Sequence, residues 1–265
     1  MRDKIQLRKF SFLIFVFFLV GCSTLNPATG RKEFIFIDTE TEVAMGKDIH
    51  KQILQQYKIS SNLEQVAHVE KIGQKLAQVS DRKDYEYHFY VINNDELNAF
   101  TVPGGSIYIF TGLLEKLSSD DEIAAVLAHE IGHGAARHTV KKFQAAMGYN
   151  LVGTIVLSQV APAQQQLAAM SSSAVMQLVF SAYGRRDEYQ ADQLGLRYLY
   201  RSGYDLKAMI KTFKVLKVNS KGPEVPLILR SHPYLEDRIA AVETEIQDIE
   251  DGKSSQVTAV TQPQQ

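Results

Sequence analysis

The chain has one cysteine and no tryptophan, and its charges nearly cancel. It contains 265 residues, with 29 basic and 30 acidic side chains and a formal net charge of −1. One cysteine excludes a disulfide within the chain and any zinc site built from several cysteines. The balanced charge gives no reason to expect nucleic acid or another polyanion as a partner. Hydrophobic residues make up 45% of the chain, which is enough for one sizeable core.

An apolar run near the N terminus is too short for a typical membrane span and reads as a signal peptide. Residues 10–20 form this run after a basic start, and residues 19–22, LVGC, resemble a bacterial lipobox. We therefore expect cleavage after residues 1–21 and a lipid on Cys22, with an uncleaved N-terminal anchor as the alternative. Either route places the rest of the chain in the cell envelope. In a Gram-negative host, Ser23 after the cysteine favours the periplasmic face of the outer membrane.

Residues 129–133, HEIGH, form an HExxH motif, which has the spacing of half a zinc site. His129 and His133 are four residues apart, so on a helix they share one face about 6 Å apart along the axis. Both imidazoles can then reach one metal ion. Glu130 lies beside that ion, where its carboxylate can accept a proton from an attacking water.

The residues around this motif predict a largely buried helix over about 119–144. Residues 119–122, SDDE, read as a capping box at its start, and their acidic side chains suit the first turn. The apolar residues that follow predict burial on most of the helix surface. Buried imidazoles and a buried carboxylate are costly without partners, and a metal ion removes that cost. The alternative, a surface helix with chance histidines, fits this apolar setting poorly.

A catalytic zinc ion needs a third protein ligand, and Glu188 is the best candidate. It belongs to residues 185–192, RRDEYQAD, which begin another predicted helix. Glu188 and Asp192 are four residues apart and share a face. Glu188 can therefore bind the metal while Asp192 accepts the other N–H of a ligating histidine. An ordinary solvated acidic face is the alternative interpretation.

Taken together, the motifs resemble the gluzincin zinc metallopeptidases of the CAAX prenyl protease, HtpX, BepA and LoiP type. The matching segments appear in order as NPATG at 26–30, NAFTVPGG at 98–105, TGLL at 111–114, HEIGHGAARH at 129–138, RRDEYQAD at 185–192, and SHP at 231–233 with Arg238. The first of these is typical of the bacterial lipoprotein members. The resemblance spans about residues 25–245. It implies a mainly helical α+β fold of the zincin type, with a small β-sheet beside the HExxH helix.

The resemblance also implies roles for individual residues. One Zn²⁺ per chain would be bound by the two motif histidines and Glu188. Asn98, Ala99 and Phe100 would lie on an edge strand that aligns an extended peptide substrate by main-chain pairing. His232 or Arg238 would stabilise the oxyanion. Two other roles for this histidine stay open, since it could be a fourth metal ligand that holds the enzyme off or a structural residue of a His-Pro turn.

We expect a zinc metalloendopeptidase that hydrolyses misfolded or misassembled envelope proteins. Its expected partners are protein or peptide substrates, the membrane through a lipid on Cys22, and outer-membrane assembly machinery. Two alternatives remain, a chaperone-like assembly factor that cuts rarely and a zinc hydrolase of a non-peptide amide. The presence of Glu130 argues against the first, and the extended segment at 98–105 argues against the second.

The hydrophobic patterns predict one domain over 22–250 and a disordered tail over 251–265. The remaining predicted helices cover about 40–58, 62–80, 186–202, 205–219 and 234–250, and the predicted strands cover about 85–92, 98–102 and 106–110. Residues 148–183 are apolar and predict either two core helices joined by a loop or a wall, lid or membrane-contacting patch. His138 lies about 140° off the ligand face and is not expected to bind the metal.

Overall fold

The computed structural model describes residues 24–154, 163–220 and 225–253. The predicted signal peptide, Cys22 and nearly all of the predicted tail lie outside these residues. No helix within the described ranges is long and apolar enough to span a membrane.

Over the described residues the fold is mainly helical with two small sheets, which confirms the predicted α+β class. The helices are α1 (Thr39–Gln56), α2 (Leu63–Ala77), α3 (Thr111–Leu114), α4 (Asp120–Ala135), α5 (His138–Thr154), α6 (Ala163–Ala169), α7 (Ser172–Val179), α8 (Arg185–Ser202), α9 (Lys207–Asn219), α10 (Leu227–Ser231) and α11 (Leu235–Glu250). The strands are β1 (Thr24–Asn26), β2 (Arg31–Glu33), β3 (His88–Ile92), β4 (Ala99–Thr101) and β5 (Ser106–Phe110).

The larger sheet has the order β3-β5-β4 and lies beside helix α4. Strand β5 is central, pairs in parallel with β3 and pairs antiparallel with β4, so β4 forms one edge. The turn between β4 and β5 contains Gly104 and Gly105 at φ 78° and 89°. A Cβ at Gly105 would lie 2.4 Å from the carbonyl oxygen of Glu86, so a residue with a side chain does not fit at this position. The tight turn keeps β4 in register as the edge strand beside the metal-binding helix.

In the part of the chain that the structure describes, two clusters of apolar side chains form the core. One joins the sheet to α2, α4, α8, α9 and α11. The other joins the sheet to α1, α5, α6 and α7 and contains Met45, Phe143, Leu167 and Val175. Of the two interpretations offered for residues 148–183, the described parts support core helices, because α6 and α7 pack inward. Residues 155–162 lie outside the described ranges.

The predicted helix over 119–144 is wrong in its second half, because α4 ends at Ala135 and a new helix begins at His138. Arg137 between them has φ 57°, a left-handed conformation that costs about 1–2 kcal/mol in a residue with a Cβ. Its guanidinium donates to the carbonyl of Ile37 and lies 3.1 Å from an oxygen of Glu42. These contacts hold the turn, which redirects the chain so that α5 starts directly behind the metal-binding face of α4.

Candidate metal centre

Four buried side chains bring metal-binding atoms to one place. His129, His133, Glu188 and His232 each offer one nitrogen or oxygen, and these atoms lie within 4.8 Å of one another. The first two come from α4, the carboxylate comes from the first turns of α8, and His232 follows α10. The fold therefore brings the three predicted ligands together with His232, whose role the sequence left open.

The spacing of the donor atoms suits a tetrahedral zinc ion. Donors about 2.0–2.1 Å from a metal in a tetrahedron are about 3.3 Å apart. The Nε2 atoms of His129 and His133 are 3.0 Å apart, and Nε2 of His133 is 3.4 Å from Oε1 of Glu188. Nδ1 of His232 lies 3.3 Å from Nε2 of His129 and 3.1 Å from Oε1 of Glu188. Three imidazoles and a carboxylate are also the ligand types that zinc takes, so the residues present fit this ion.

Small residues let α4 and α8 approach closely enough to build this centre. A Cβ at Gly132 would lie 2.7 Å from the carbonyl oxygen of Ala191, and one at Gly195 would lie 3.2 Å from the backbone nitrogen of His129. A side chain at Gly132 would therefore clash with the backbone of α8, and one at Gly195 would press on the backbone of α4. The close approach puts the carboxylate of Glu188 opposite both motif histidines.

Asp192 and Arg238 support the ligands from behind. Oδ1 of Asp192 lies 2.8 Å from Nδ1 of His129, so that nitrogen can donate its proton while Nε2 faces the metal site. The guanidinium of Arg238 binds both oxygens of Asp192 at 2.7 Å, and its Nη1 lies 2.5 Å from Oε2 of Glu188. The guanidinium of Arg238 thus already contacts two carboxylates. This arrangement favours a role in positioning the ligands over the stabilisation of the oxyanion that the resemblance implied.

The charges of this group oppose the effect of burial on its carboxyls. Burial would raise the pKa of Glu188, but the charges of His232 and Arg238 hold it well below the usual range. Burial would also raise the pKa of Asp192, and the Arg238 charge lowers it instead. Both groups are therefore carboxylates at neutral pH, as metal binding and its support require.

His133 is supported by a residue that the sequence analysis had set aside. Nδ1 of His133 lies 3.0 Å from Nδ1 of His138, and Nε2 of His138 lies 2.9 Å from Oε1 of Gln190. Burial lowers the pKa of His138 to about 4, so its ring is neutral at pH 7. A neutral His138 with its proton on Nε2 donates to Gln190 and accepts from His133, whose Nε2 then faces the metal site. The turn at Arg137 places His138 there, and no local sequence signal marks that turn.

Tyr183 is a second residue that the sequence analysis did not identify. Its ring stacks on that of His133 with ring centroids 3.9 Å apart, and Nζ of Lys142 lies 3.7 Å from the centroid of the tyrosine ring. Burial raises the pKa of Tyr183, so its hydroxyl stays protonated, and that hydroxyl lies 3.3 Å from Oγ1 of Thr139. The ring limits how far the imidazole can turn.

Glu130 lies beside the four donor side chains. The residue is buried, and its Oε2 has no hydrogen-bond partner among the described residues. Its Oε1 lies 3.5 Å from Nε2 of His232, which likewise lacks a hydrogen-bond partner. Two unpartnered polar atoms in a buried site can each still form a hydrogen bond, for example to a substrate atom.

The segment that carries His232 covers the start of the predicted substrate strand. The backbone N–H of Ile228 donates to the carbonyl of Leu97 at 3.1 Å, and the N–H of Tyr183 donates to the carbonyl of Ser231 at 3.0 Å. Next to Leu97, Asn98 is fully buried, and neither atom of its side-chain amide has a hydrogen-bond partner in the described structure. Ala99 and Phe100 follow in β4, and both are buried. The edge that would receive a peptide is therefore partly occupied by α10.

Comparison with known proteins assigns this centre to a family. The model of peptidase family M48 matches residues 63–246, which include all four donors. The chain belongs to peptidase family M48. This membership and the buried donor group confirm two predictions from the sequence, a zinc metallopeptidase and one zinc ion per chain.

Several curated M48 relatives are similar over much of the chain. The beta-barrel assembly-enhancing protease of Yersinia pestis is 26% identical over 230 residues, covering 84% of this chain and 47% of that protein. The protein of the same name from Escherichia coli (strain K12) is 30% identical over 181 residues, covering 65% of this chain and 37% of that protein. The mitochondrial metalloendopeptidase OMA1 of Schizosaccharomyces pombe is 28% identical over 186 residues, covering 69% and 54%. The chain thus spans about half or less of the length of these relatives.

Proposed function

We propose that this M48 chain is an endopeptidase of the bacterial envelope that degrades misfolded or misassembled envelope proteins. The observation that carries the proposal is a complete donor set with Glu130 beside it and free to act as a base. Two relatives named beta-barrel assembly-enhancing proteases support the choice of substrate, which would include unfolded outer-membrane β-barrels. The same names support a link to the outer-membrane assembly machinery.

The side chains of the centre divide the work of peptide hydrolysis. His129, His133 and Glu188 would hold the zinc ion, which when bound polarises water and lowers its pKa toward about 7. Glu130 takes the proton of the attacking water on its carboxylate and returns it to the leaving amine. Asp192 and Arg238 keep the ligands aligned.

Strand β4 provides the surface on which an extended peptide is aligned. Strand β4 pairs with β5 along one side, so the main-chain groups on its other side can pair with an extended substrate peptide. The unpartnered amide of Asn98 is placed at the start of this edge, where it can bind a substrate main-chain group. Productive binding requires α10 to leave the position in which Ile228 contacts Leu97.

His232 would act as a latch that closes the fourth metal position. Its Nδ1 lies at ligand-like distances from two other donors, and the carbonyl before it is held by the N–H of Tyr183. Its ring would then occupy the place that the substrate carbonyl needs. Activity would depend on the fraction of molecules in which this segment has moved away.

Replacing His232 with alanine should raise proteolysis several-fold, because every molecule then has the fourth position open. Zinc should remain bound through the other three ligands. The measurement is the initial rate of casein cleavage together with the zinc content of the purified chain. Loss of cleavage with zinc retained would instead make His232 a donor to the transition state, and an unchanged rate would leave it a structural residue.

Replacing His138 with alanine should raise the dissociation constant for zinc about 10–100-fold, which is the usual cost of removing the partner of a ligating histidine. The measurement is a competition titration against a zinc chelator of known affinity. His68 offers a matched control, since it forms an exposed pair with Asp120 at 2.8 Å, and its alanine variant should bind zinc like the unaltered chain. Equal zinc affinity in both variants would contradict the support assigned to His138.

A lipid on Cys22 would attach this enzyme to the periplasmic face of the outer membrane. The residue lies outside the described ranges, so the lipid is supported by the lipobox-like sequence alone. The names of the bacterial relatives support only the place of action, where β-barrels are assembled. Such an anchor would hold the metal centre close to newly arriving outer-membrane proteins.

The two rival functions predict different outcomes with the same substrates. We expect the chain to cut an unfolded outer-membrane β-barrel polypeptide and to leave the folded barrel intact. A chaperone-like factor would suppress light scattering by the unfolded polypeptide without producing fragments. A hydrolase of non-peptide amides would release products from cell-wall material and leave the polypeptide whole, and either result would overturn the proposed function.

A further inference from the structure

Three large apolar side chains are exposed near the start of the described chain. Leu25, Phe34 and Phe36 are 66%, 60% and 65% exposed, and we call them the N-terminal apolar face. Single exposed apolar residues are ordinary on protein surfaces, but a group of them usually marks a surface that contacts something else. Neither the metal centre nor the substrate strand uses these residues.

The alternation of the backbone puts the three side chains on one side. In the β1–β2 hairpin, Leu25 is directly opposite Lys32, so both point outward. Their neighbours Asn26 and Glu33 point inward and share a hydrogen bond of 3.0 Å. The alternation continues past the strand, because Phe34 and Phe36 are exposed while Ile35 and Ile37 are buried. Leu25 and Phe36 also border the same groove.

Contacts from α5 hold this outward arrangement in place. The side chain of Gln144 accepts from the N–H of Phe36 at 2.7 Å and donates to the carbonyl of Phe34 at 2.9 Å. Nζ of Lys141 lies 2.7 Å from Oε1 of Glu33. Turning the two phenyl rings inward would break these bonds and expose Ile35 and Ile37, which are buried. The outward rings are thus a property of the folded segment.

We propose that the N-terminal apolar face enters the surface of the lipid bilayer to which the chain is attached. Cys22 precedes Leu25 by three residues, so the residue that would carry the lipid lies within about 11 Å of the Leu25 backbone. This step rests on the proposed lipidation. Lys32, directly opposite Leu25, is exposed on the same face as the apolar side chains and suits anionic headgroups. Aromatic and aliphatic side chains beside basic residues are the composition of surfaces that enter the headgroup region.

The charge of Lys32 disfavours a second copy of the chain as the occupant. In a symmetric pair each patch meets itself, so Lys32 of one copy would be buried against the apolar side chains of the other and lose its hydration. A bilayer places phosphate groups at that position instead. The bilayer is therefore the occupant that matches both the apolar side chains and the basic side chain of this surface.

The absence of tryptophan allows a direct test. Single-reporter variants Phe34→Trp and Phe36→Trp of the full chain, as processed by the host, are reconstituted into vesicles of phosphatidylethanolamine and phosphatidylglycerol. A share of the phospholipid carries bromine on its acyl chains and quenches any nearby indole. Leu63→Trp is the control, because Leu63 is 79% exposed and lies at the far end of α2 from the groove bordered by Leu25.

We expect brominated lipid to reduce the fluorescence at positions 34 and 36 by about twofold, with little change at position 63. Equal, weak quenching at all three positions, with full access to iodide from water, would overturn the proposal. Protection from iodide without quenching by brominated lipid, accompanied by a dimer in cross-linking, would show a second copy and also overturn it. Mass spectrometry of the N-terminal peptide measures lipidation separately. If the reporters are quenched but Cys22 carries no lipid, the membrane contact stands and the proposed lipid anchor is wrong.

Discussion

Replacing Glu130 with glutamine should lower the turnover number for peptide cleavage about 10²–10⁴-fold while leaving zinc bound. Glutamine has nearly the same size, but its amide cannot take a proton from water. Glu130 is outside the group of atoms that meet at the metal site, so the ligands stay intact. Turnover of a fluorogenic peptide and zinc content by mass spectrometry measure the two effects on one preparation.

A glutamine substitution at Glu243 provides the matched control for that experiment. Glu243 lies exposed on α11, and its variant should keep both the turnover and the zinc of the unaltered chain. If Glu130→Gln keeps full turnover, the role of this carboxylate as the base is wrong. If zinc is lost together with turnover, the carboxylate supports the metal site in a way that its placement does not indicate.

Replacing Arg238 with methionine should lower the free energy of unfolding by about 3–5 kcal/mol, because it leaves buried carboxylates without their partner. Asp192 loses two contacts of 2.7 Å, and Glu188 loses the contact of 2.5 Å. The measurement is urea denaturation of the metal-free chain in the presence of a chelator, so that zinc affinity does not enter the result. Arg185→Met is the control, since the Arg185–Asp237 pair is exposed and its loss should cost less than about 1 kcal/mol.

The pH dependence of that difference follows from the lowered pKa values of the two carboxyls. Glu188 and Asp192 have folded pKa values below their ordinary values of 4.5 and 3.8. Their pairing with Arg238 therefore stabilises the fold fully above those ordinary values and is lost as the pH falls through the folded values. The gap between Arg238→Met and the unaltered chain should be widest near pH 7 and shrink below about pH 4. A gap that widens toward acid pH would contradict the ion pairing.

The metal ligands could be predicted from the sequence because they depend on local helical spacing. Four-residue intervals place His129 with His133, and Glu188 with Asp192, on single helix faces, and each pair needs only its own helix to form. The start of α4 was predictable for the same reason, since Ser119 accepts from the N–H of Glu122 at 3.3 Å. In these cases the deciding contact lies within one turn of the chain.

The support behind the ligands could not be predicted because it depends on contacts between distant segments. His138 reaches His133 only because Arg137 adopts a positive φ, and that turn is held by Ile37 and Glu42 about a hundred residues away. Arginine has no preference for such a conformation, so the sequence predicts an unbroken helix there. Tyr183 likewise reaches His133 through the packing of α5 against the segment before α8.

The role of His232 shows an intermediate case. The His-Pro dipeptide predicts a turn, but a turn alone does not say what it faces. In the structure the ring lies among the metal donors, and the N–H of Tyr183 donates a hydrogen bond to the carbonyl of Ser231 just before it. The position of His232 therefore follows from the fold. Its effect on the rate of proteolysis is what the His232→Ala variant measures.

Zinc-dependent cleavage of a polypeptide is the central claim, and removal and return of the metal test it most directly. The full chain is treated with a chelator, dialysed and assayed on casein before and after one equivalent of Zn²⁺ is added. We predict that cleavage disappears on chelation and returns with zinc in the unaltered chain, but does not return in the Glu130→Gln variant. Cleavage that continues in the zinc-free chain, or that returns equally in both proteins, would contradict the account.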